Sequence, residues 1–171
     1  MKKITLPIMA LATAALFVLI TGRGMAQGAN RGSAKATING AQISIDYGRP
    51  ALKGRDMLSQ IKPGELWRIG SGQPTTLDTD KELNFGGTIV PKGKHILLAR
   101  LVEPGKWMLV FSTKSVFDYD PSAKITEVPL TLENTSDSAE LVTITVAEKG
   151  GTGVLDISWG KMRLSASFKP A

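Results

Sequence analysis

Few residues of this chain are able to carry chemistry. His95 is the only histidine and cysteine is absent, so a histidine pair, a thiolate metal site and a disulfide cannot form. Serines are plentiful, but none lies in a Gly-x-Ser-x-Gly elbow ahead of a helix. Because His95 opens an apolar run, it is more readily explained as a packed side chain than as a general base. We therefore predict no catalytic residue, no metal site and no cofactor.

Carboxylates are the other candidates for catalysis. Asp118 and Asp120, with Glu127 nearby, have the residue types of a glycosidase pair or a calcium site. The third ligand and the turn glycine of a calcium loop are missing, and Asp120-Pro121 is typical of a turn. The turn is the preferred interpretation, and a hydrolase that uses clustered carboxylates is kept as an alternative function.

Two segments combine guanidinium groups, aromatic rings and glycines in the way that ligand sites do. The first is the basic segment 46–55, and the second is Trp67-Arg68-Ile69-Gly70. Arginine binds carboxylate, phosphate or sulfate through paired hydrogen bonds, and glycine lets the backbone approach a ligand. Both segments also have a structural interpretation, as solvated charge and as a tryptophan at the edge of the core. The predicted ligand-binding residues are Asp46, Tyr47, Arg49, Arg55, Trp67 and Arg68.

The N-terminal 26 residues have the layout of a secretion signal. Lys2 and Lys3 precede an apolar run over residues 8–20, and Gly24 and Ala26 supply small side chains before Gln27. The run is shorter than the roughly 20 apolar residues of a spanning helix, although an uncleaved anchor is the alternative. We expect a cleaved signal helix, export to the periplasm or the extracellular medium, and no integral membrane segment after cleavage.

The positive charge of the chain is concentrated in this leader. The whole sequence carries a net charge of +6, and cleavage after Ala26 would lower its 21 basic residues to 18 against an unchanged 15 acidic ones. The remaining excess is small, so nucleic acid is not an expected partner. The expected partners are a small molecule, a saccharide or another envelope protein.

Periodicity after residue 40 is that of β-strands. Apolar and polar residues alternate over 142–146, 155–159 and 162–168, and Gly160-Lys161 suits a two-residue hairpin turn. With shorter alternating segments farther towards the N-terminus, about nine strands are expected. We predict an all-β protein, an antiparallel β-sandwich, with residues 27–36 as a flexible lead-in and 37–171 as one domain.

The central hairpin has a different pattern. Residues 95–102 and 107–111 are almost continuously apolar and flank Glu103-Pro104-Gly105-Lys106. Strands of this kind are covered on both faces. One face is therefore expected in the core, and the other under a loop or a second sheet.

The chain contains a set of short motifs in a fixed order: Asp46-Tyr47-Gly48-Arg49-Pro50, Lys53-Gly54-Arg55, Leu66-Trp67-Arg68-Ile69-Gly70, Thr75-Thr76, Pro91-Lys92-Gly93, residues 107–111, Asp118-Tyr119-Asp120-Pro121 and Ser158-Trp159-Gly160. In their number and order these motifs resemble a secreted bacterial family, domain of unknown function 2911. The resemblance runs from about Ile38 to Lys169 and implies an exported, β-rich, single-domain protein of unestablished role. After Gly93 the chain departs from the family pattern, because Lys94-His95-Ile96 stands where relatives tend to have Thr-Tyr-Ser.

Three functions are compatible with this amino-acid sequence. The preferred one is a non-catalytic cell-envelope binding module for a saccharide or anionic ligand near the segments 46–55 and 67–72. The alternatives are the hydrolase described above and a structural or assembly protein that binds another protein through an exposed sheet edge.

Overall fold

The computed structural model describes residues 30–56 and 58–171. The predicted signal helix, its cleavage site and the first three residues of the predicted lead-in lie outside these described residues. The described residues contain no helix that is long and apolar enough to cross a membrane.

The described chain is almost entirely strand and turn. One turn of 3-10 helix, Pro121–Ala123, is capped by Asp120, whose side chain accepts a hydrogen bond from the Ser122 amide. The strands are β1 (Arg31–Ile38), β2 (Ala41–Gly48), β3 (Leu66–Trp67), β4 (Thr76–Thr79), β5 (Leu83–Phe85), β6 (Thr88–Val90), β7 (Gly93–Glu103), β8 (Lys106–Ser112), β9 (Lys124–Lys149) and β10 (Thr152–Pro170).

All ten strands belong to one antiparallel sheet that is not closed. Their order is β1-β2-β4-β7-β8-β9-β10-β5-β6, and β3 pairs with β7 outside this path. The all-β prediction is confirmed, whereas the described chain forms one sheet of ten strands where a sandwich of about nine was expected. The difference arises because β9 is 26 residues long and pairs with β8 and β10 along different parts of its length.

The expected hairpin at Gly160-Lys161 is wrong. β10 continues through this point, and the pairing with β9 shifts register on both sides of Gly160. Gly160 has a positive φ of 63°, which a β-bulge accommodates as readily as a turn does. A glycine at this position in the sequence is typical of a hairpin turn and of a β-bulge. Which of the two forms depends on how β10 pairs with β9.

Most of the predicted flexible lead-in is strand. Residues 31–38 pair with β2 along their whole length, and the two strands are joined by Asn39-Gly40, both at positive φ. Asn-Gly is a strong hairpin signal. The small side chains of Ala34 and Ala36 pack against the core, so this strand forms without a conspicuous apolar run.

The core lies on one face of the sheet, which bends so that β2 reaches the distant half of β9. Tyr47 Oη donates to the Ile144 carbonyl at 3.2 Å. Beyond β2, the Val142 amide donates to the Pro50 carbonyl at 3.2 Å and the Leu52 amide to the Glu140 carbonyl at 2.9 Å. These bonds place the charged segment 49–55 beside β9.

The central hairpin is buried on both faces, as its sequence predicts. Leu97 and Leu109 face the core cluster. Leu98 and Val110, which are cross-strand partners on the opposite face, are also buried. This outer face of the sheet carries the candidate site.

Two motifs of the sequence meet through their backbones. A Cβ placed on Gly48 would lie 1.9 Å from the Ser71 carbonyl oxygen, and one on Gly70 would lie 2.7 Å from the Gly48 carbonyl oxygen. Between these contacts, the buried Ile69 has a φ of 48°, an outlier for a β-branched residue. Close packing therefore holds the 68–72 loop in one conformation.

We predict that Gly48→Ala destabilises the protein by about 3 kcal/mol, because the added methyl group forces apart two packed backbones. Gly105→Ala is the matched control. Gly105 has a φ of 80° with open space around it, so only the left-handed backbone penalty of about 1 kcal/mol applies. Urea unfolding of both variants checks the difference, and equal losses would contradict the packing argument.

Candidate functional site

A partly enclosed depression that includes a predicted site residue lies on the outer face of the sheet. We call it the Arg68 groove. It has a volume of about 220 Å³. Its lining is mainly apolar with one guanidinium, and consists of Arg68, Gly72, Gln73, Pro74, Thr75, Ile96, Leu98, Ser115, Val116 and Phe117.

Arg68 is held in place on the rim of this groove. Its Nε donates to the Gly70 carbonyl at 3.1 Å, and its guanidinium carbon lies 5.4 Å from the centre of the Phe117 ring. The Thr75 hydroxyl donates to the Ile69 carbonyl at 2.5 Å and secures the other side of the loop. An arginine above an aromatic ring gains a cation–π interaction and keeps its terminal N–H groups for an anion.

Phe117 is exposed to an unusual degree. It shows 78% of its surface, although large apolar side chains of this kind are normally covered. An exposed aromatic ring in the lining of an apolar groove is a candidate contact for a ligand. Phe117 is not among the predicted site residues. The available signal in the sequence was an aromatic residue in a short segment between Ser115 and Asp118.

A polar depression of about 480 Å³ adjoins the groove and shares Gln73, Pro74 and Ile96 with it. Arg31, Asp46 and Lys94 are also in its lining. Arg31 and Asp46 form an ion pair across β1 and β2. Together with Arg68, the two depressions have a net positive charge, which favours an anionic ligand.

The six predicted site residues do not form one cluster. Asp46 and Arg68 line the two adjoining depressions. Tyr47 and Trp67 are buried. Arg49 lies against β9, where its Nε donates to the Val142 carbonyl at 3.1 Å, and Arg55 lines a separate cavity.

The three tryptophans form one buried cluster. Trp67 stacks on Trp159 with ring centres 5.7 Å apart and an angle of 6°, and it meets Trp107 edge-on at 6.3 Å. The faces of Trp67 are thus occupied by protein. Its position supports the structural interpretation that the sequence left open.

The carboxylates considered for catalysis are committed to structural contacts. Asp120 accepts a hydrogen bond from Lys114 Nζ at 2.6 Å. Together with a hydrogen bond from Ser122, it lowers the pKa of Asp120 to about 2. Asp118 accepts from the Ser115 hydroxyl, and Glu127 pairs with Arg100. A general acid needs a raised pKa, which is the opposite of what Asp120 has.

His95 is buried at the start of β7. Its Nε2 lies 2.7 Å from the Pro91 carbonyl oxygen, and its ring meets Phe111 edge-on at 6.0 Å. These contacts match the expected packed histidine. In the part of the chain that the structure describes, no three His, Cys, Asp or Glu side chains are grouped to hold a metal ion.

Comparison with known families identifies the chain. The family described as Protein of unknown function (DUF2911) matches residues 29–168. The chain belongs to this family. The resemblance inferred from the short motifs is confirmed, and comparisons with curated proteins and with solved structures find no match.

Within this family member, Tyr47 of the Asp46-Tyr47-Gly48-Arg49-Pro50 motif has a structural role that can be measured. We expect Tyr47→Phe to cost about 1 kcal/mol, because the hydroxyl bond to the Ile144 carbonyl is lost while the ring stays packed. Urea unfolding gives the free energy. An unchanged free energy of unfolding would show that this bond does not hold β2 to β9.

The lowered pKa of Asp120 predicts how stability depends on pH. Because its pKa falls from 3.8 to about 2 on folding, the ion pair stabilises the native state above pH 3.8, and this stabilisation is lost as pH falls towards 2. The difference in urea midpoint between the wild type and Asp120→Asn should therefore shrink between pH 4 and pH 2. A difference that stays constant over this range would contradict the assignment, and Asp137→Asn is the control for loss of a surface carboxylate.

Proposed function

We propose that this protein is an exported, non-catalytic binding protein that holds a small organic anion in the Arg68 groove. The observation that carries the proposal is the Arg68 guanidinium, fixed over the exposed ring of Phe117 at the mouth of an apolar groove. A ligand with an acidic group and an apolar body matches both parts of this lining.

The conformation of the 68–72 loop supports this proposal. Ile69 is buried at a positive φ, a strained arrangement that persists only where the surroundings enforce it. This backbone conformation places Ile69 in the core and Arg68 at the rim of the groove. A preorganised guanidinium loses less conformational freedom when it binds a carboxylate.

The apolar part of the lining favours a ligand with a hydrocarbon portion. Ile96 and Leu98 come from β7, and Val116 and Phe117 from the segment opposite. Displacing water from such surfaces is favourable by about 25 cal/mol per Å². Lys94 and Arg31 in the adjoining depression extend the positive region.

The anionic alternative has more support than the saccharide. Sugar rings bind by stacking on exposed aromatic faces, and the aromatic side chains of the 46–55 and 67–72 segments, Tyr47 and Trp67, are buried. Phe117 is the exposed ring of the groove, and Arg68 lies over one of its faces. The hydrolase alternative has little support, because Asp118, Asp120 and Glu127 are bonded to neighbouring side chains. Export rests on the layout of residues 1–26 described above.

Thermal unfolding with matched acidic and neutral compounds tests the proposal. Benzoate at ten times its Kd should raise the melting temperature by about 4 °C, whereas benzyl alcohol, which has the same ring and no charge, should have a much smaller effect. Arg68→Gln should weaken benzoate binding about tenfold through loss of a charged hydrogen bond. Phe117→Ala should also weaken it, with little cost to stability because the ring is exposed.

Arg163→Gln is the control for net charge. Arg163 pairs with Glu133 at 2.6 Å on the surface of β9 and β10 and does not line the groove. Equal shifts with benzoate and benzyl alcohol, or full benzoate binding by Arg68→Gln, would refute the proposal.

A further inference from the structure

A β-bulge interrupts the ladder between β9 and β10. Ser158 pairs with Thr143, but Gly160 pairs with Ala139 and Met162 with Asn134, so the register shifts twice within five residues of β10. Bulges of this kind commonly redirect a side chain beside a functional site. Trp159 lies within the irregularity, next to Gly160.

The indole of Trp159 contains a buried hydrogen-bond donor without a partner. The residue is 5% exposed, and Nε1 contacts no acceptor in the part of the chain that the structure describes. An indole N–H can only donate, and buried donors are almost always paired. The unsatisfied N–H is therefore able to take an acceptor from outside the described residues.

Trp159 lines a cavity of about 360 Å³, which we call the bulge cavity. Arg55 and Lys161 bring positive charge to its lining, and Leu52, Leu58 and Met162 bring apolar surface. None of these residues lines the Arg68 groove. The two sites therefore share no lining residue.

Arg55 is oriented by its own loop. Its Nε donates to the Leu52 carbonyl at 3.1 Å and its Nη2 to the Ala51 carbonyl at 3.4 Å. The one acidic residue of the lining, Asp56, accepts a hydrogen bond from the Ser59 amide at 3.2 Å. The remaining guanidinium N–H groups stay available to an anion.

We propose that the bulge cavity binds a small aliphatic carboxylate, whose oxygens accept hydrogen bonds from Trp159 Nε1–H and from Arg55. Leu52, Leu58 and Met162 contact the hydrocarbon part. Nε1 itself is covered, with less than 1 Å² accessible, so a lining side chain shifts when the acceptor arrives. Met162 is suited to this because its unbranched thioether changes rotamer easily.

Nuclear magnetic resonance of the indole N–H groups tests this site directly. The protein contains three tryptophans, and Trp159→Phe and Trp107→Phe assign the signals of these two residues. Titration with butyrate should shift this signal saturably while the Trp107 signal stays unchanged. Butyramide, a neutral compound of the same shape, should bind at least tenfold more weakly.

Variants then separate the site from a general charge effect. Arg55→Gln should weaken butyrate binding about tenfold, and Arg163→Gln should leave it unchanged. The Trp159→Phe variant lacks the indole signal, so its butyrate binding is followed through the backbone amide of Gly160. This variant should bind butyrate more weakly than the wild type. Two results would overturn the proposal. One is a Trp159 signal that does not shift when butyrate is added, and the other is an Arg55→Gln variant that binds butyrate with unchanged affinity.

Discussion

The close contact between the backbones of Gly48 and the 70–71 segment is the constraint on which the site depends. No side chain fits at Gly48, since the Ser71 carbonyl occupies the position of its Cβ. This contact joins the end of β2 to the loop that follows β3. Trp67 lies in the core and Arg68 on the outer face because successive side chains of an extended strand point to opposite faces. The contact then fixes the loop that begins at Arg68. Two motifs that resemble binding sequences are thus first of all the two halves of one packing contact.

The tryptophan cluster connects distant parts of the sheet. Trp67 lies on β3, Trp107 on β8 and Trp159 on β10. The ring of Trp67 contacts the other two in the core. Rigid aromatic packing of this kind is worth about 1 kcal/mol per pair beyond its buried area. The stacking on Trp67 also fixes the orientation of the Trp159 indole. The N–H bond lies in the plane of the indole ring and therefore does not point at the ring of Trp67.

Local patterns predicted the strands well because alternation reports which face is buried. Residues 142–146 and 155–159 have the predicted faces, and the two-sided burial of the central hairpin follows from its continuous apolar run. The division into sheets was not predictable in the same way. It depends on which strands pair over long distances, and β9 is long enough to pair with β8 and β10 in succession. Gly160 shows the same limit, because a glycine at positive φ is common to turns and bulges.

The candidate site was predictable in part. Arg68 and Asp46 have residue types that bind ligands, and both line the outer depressions. Tyr47 and Trp67 have equally suggestive types, but aromatic rings serve a core as well as a ligand, and only the three-dimensional packing separates the two. Phe117 was missed because exposure is not encoded in residue type.

The unclosed sheet has a consequence for self-association. Its terminal strands carry backbone groups that another molecule could extend into a fibril-like ladder. At one end β6 is three residues long, which gives little length for such templating. At the other end β1 presents the charge of Lys35 and is tied down by Asn39, whose amide donates to the Gly151 carbonyl at 3.1 Å. A three-residue strand at one margin and a charged, tethered strand at the other are both features that limit edge-to-edge pairing of sheets.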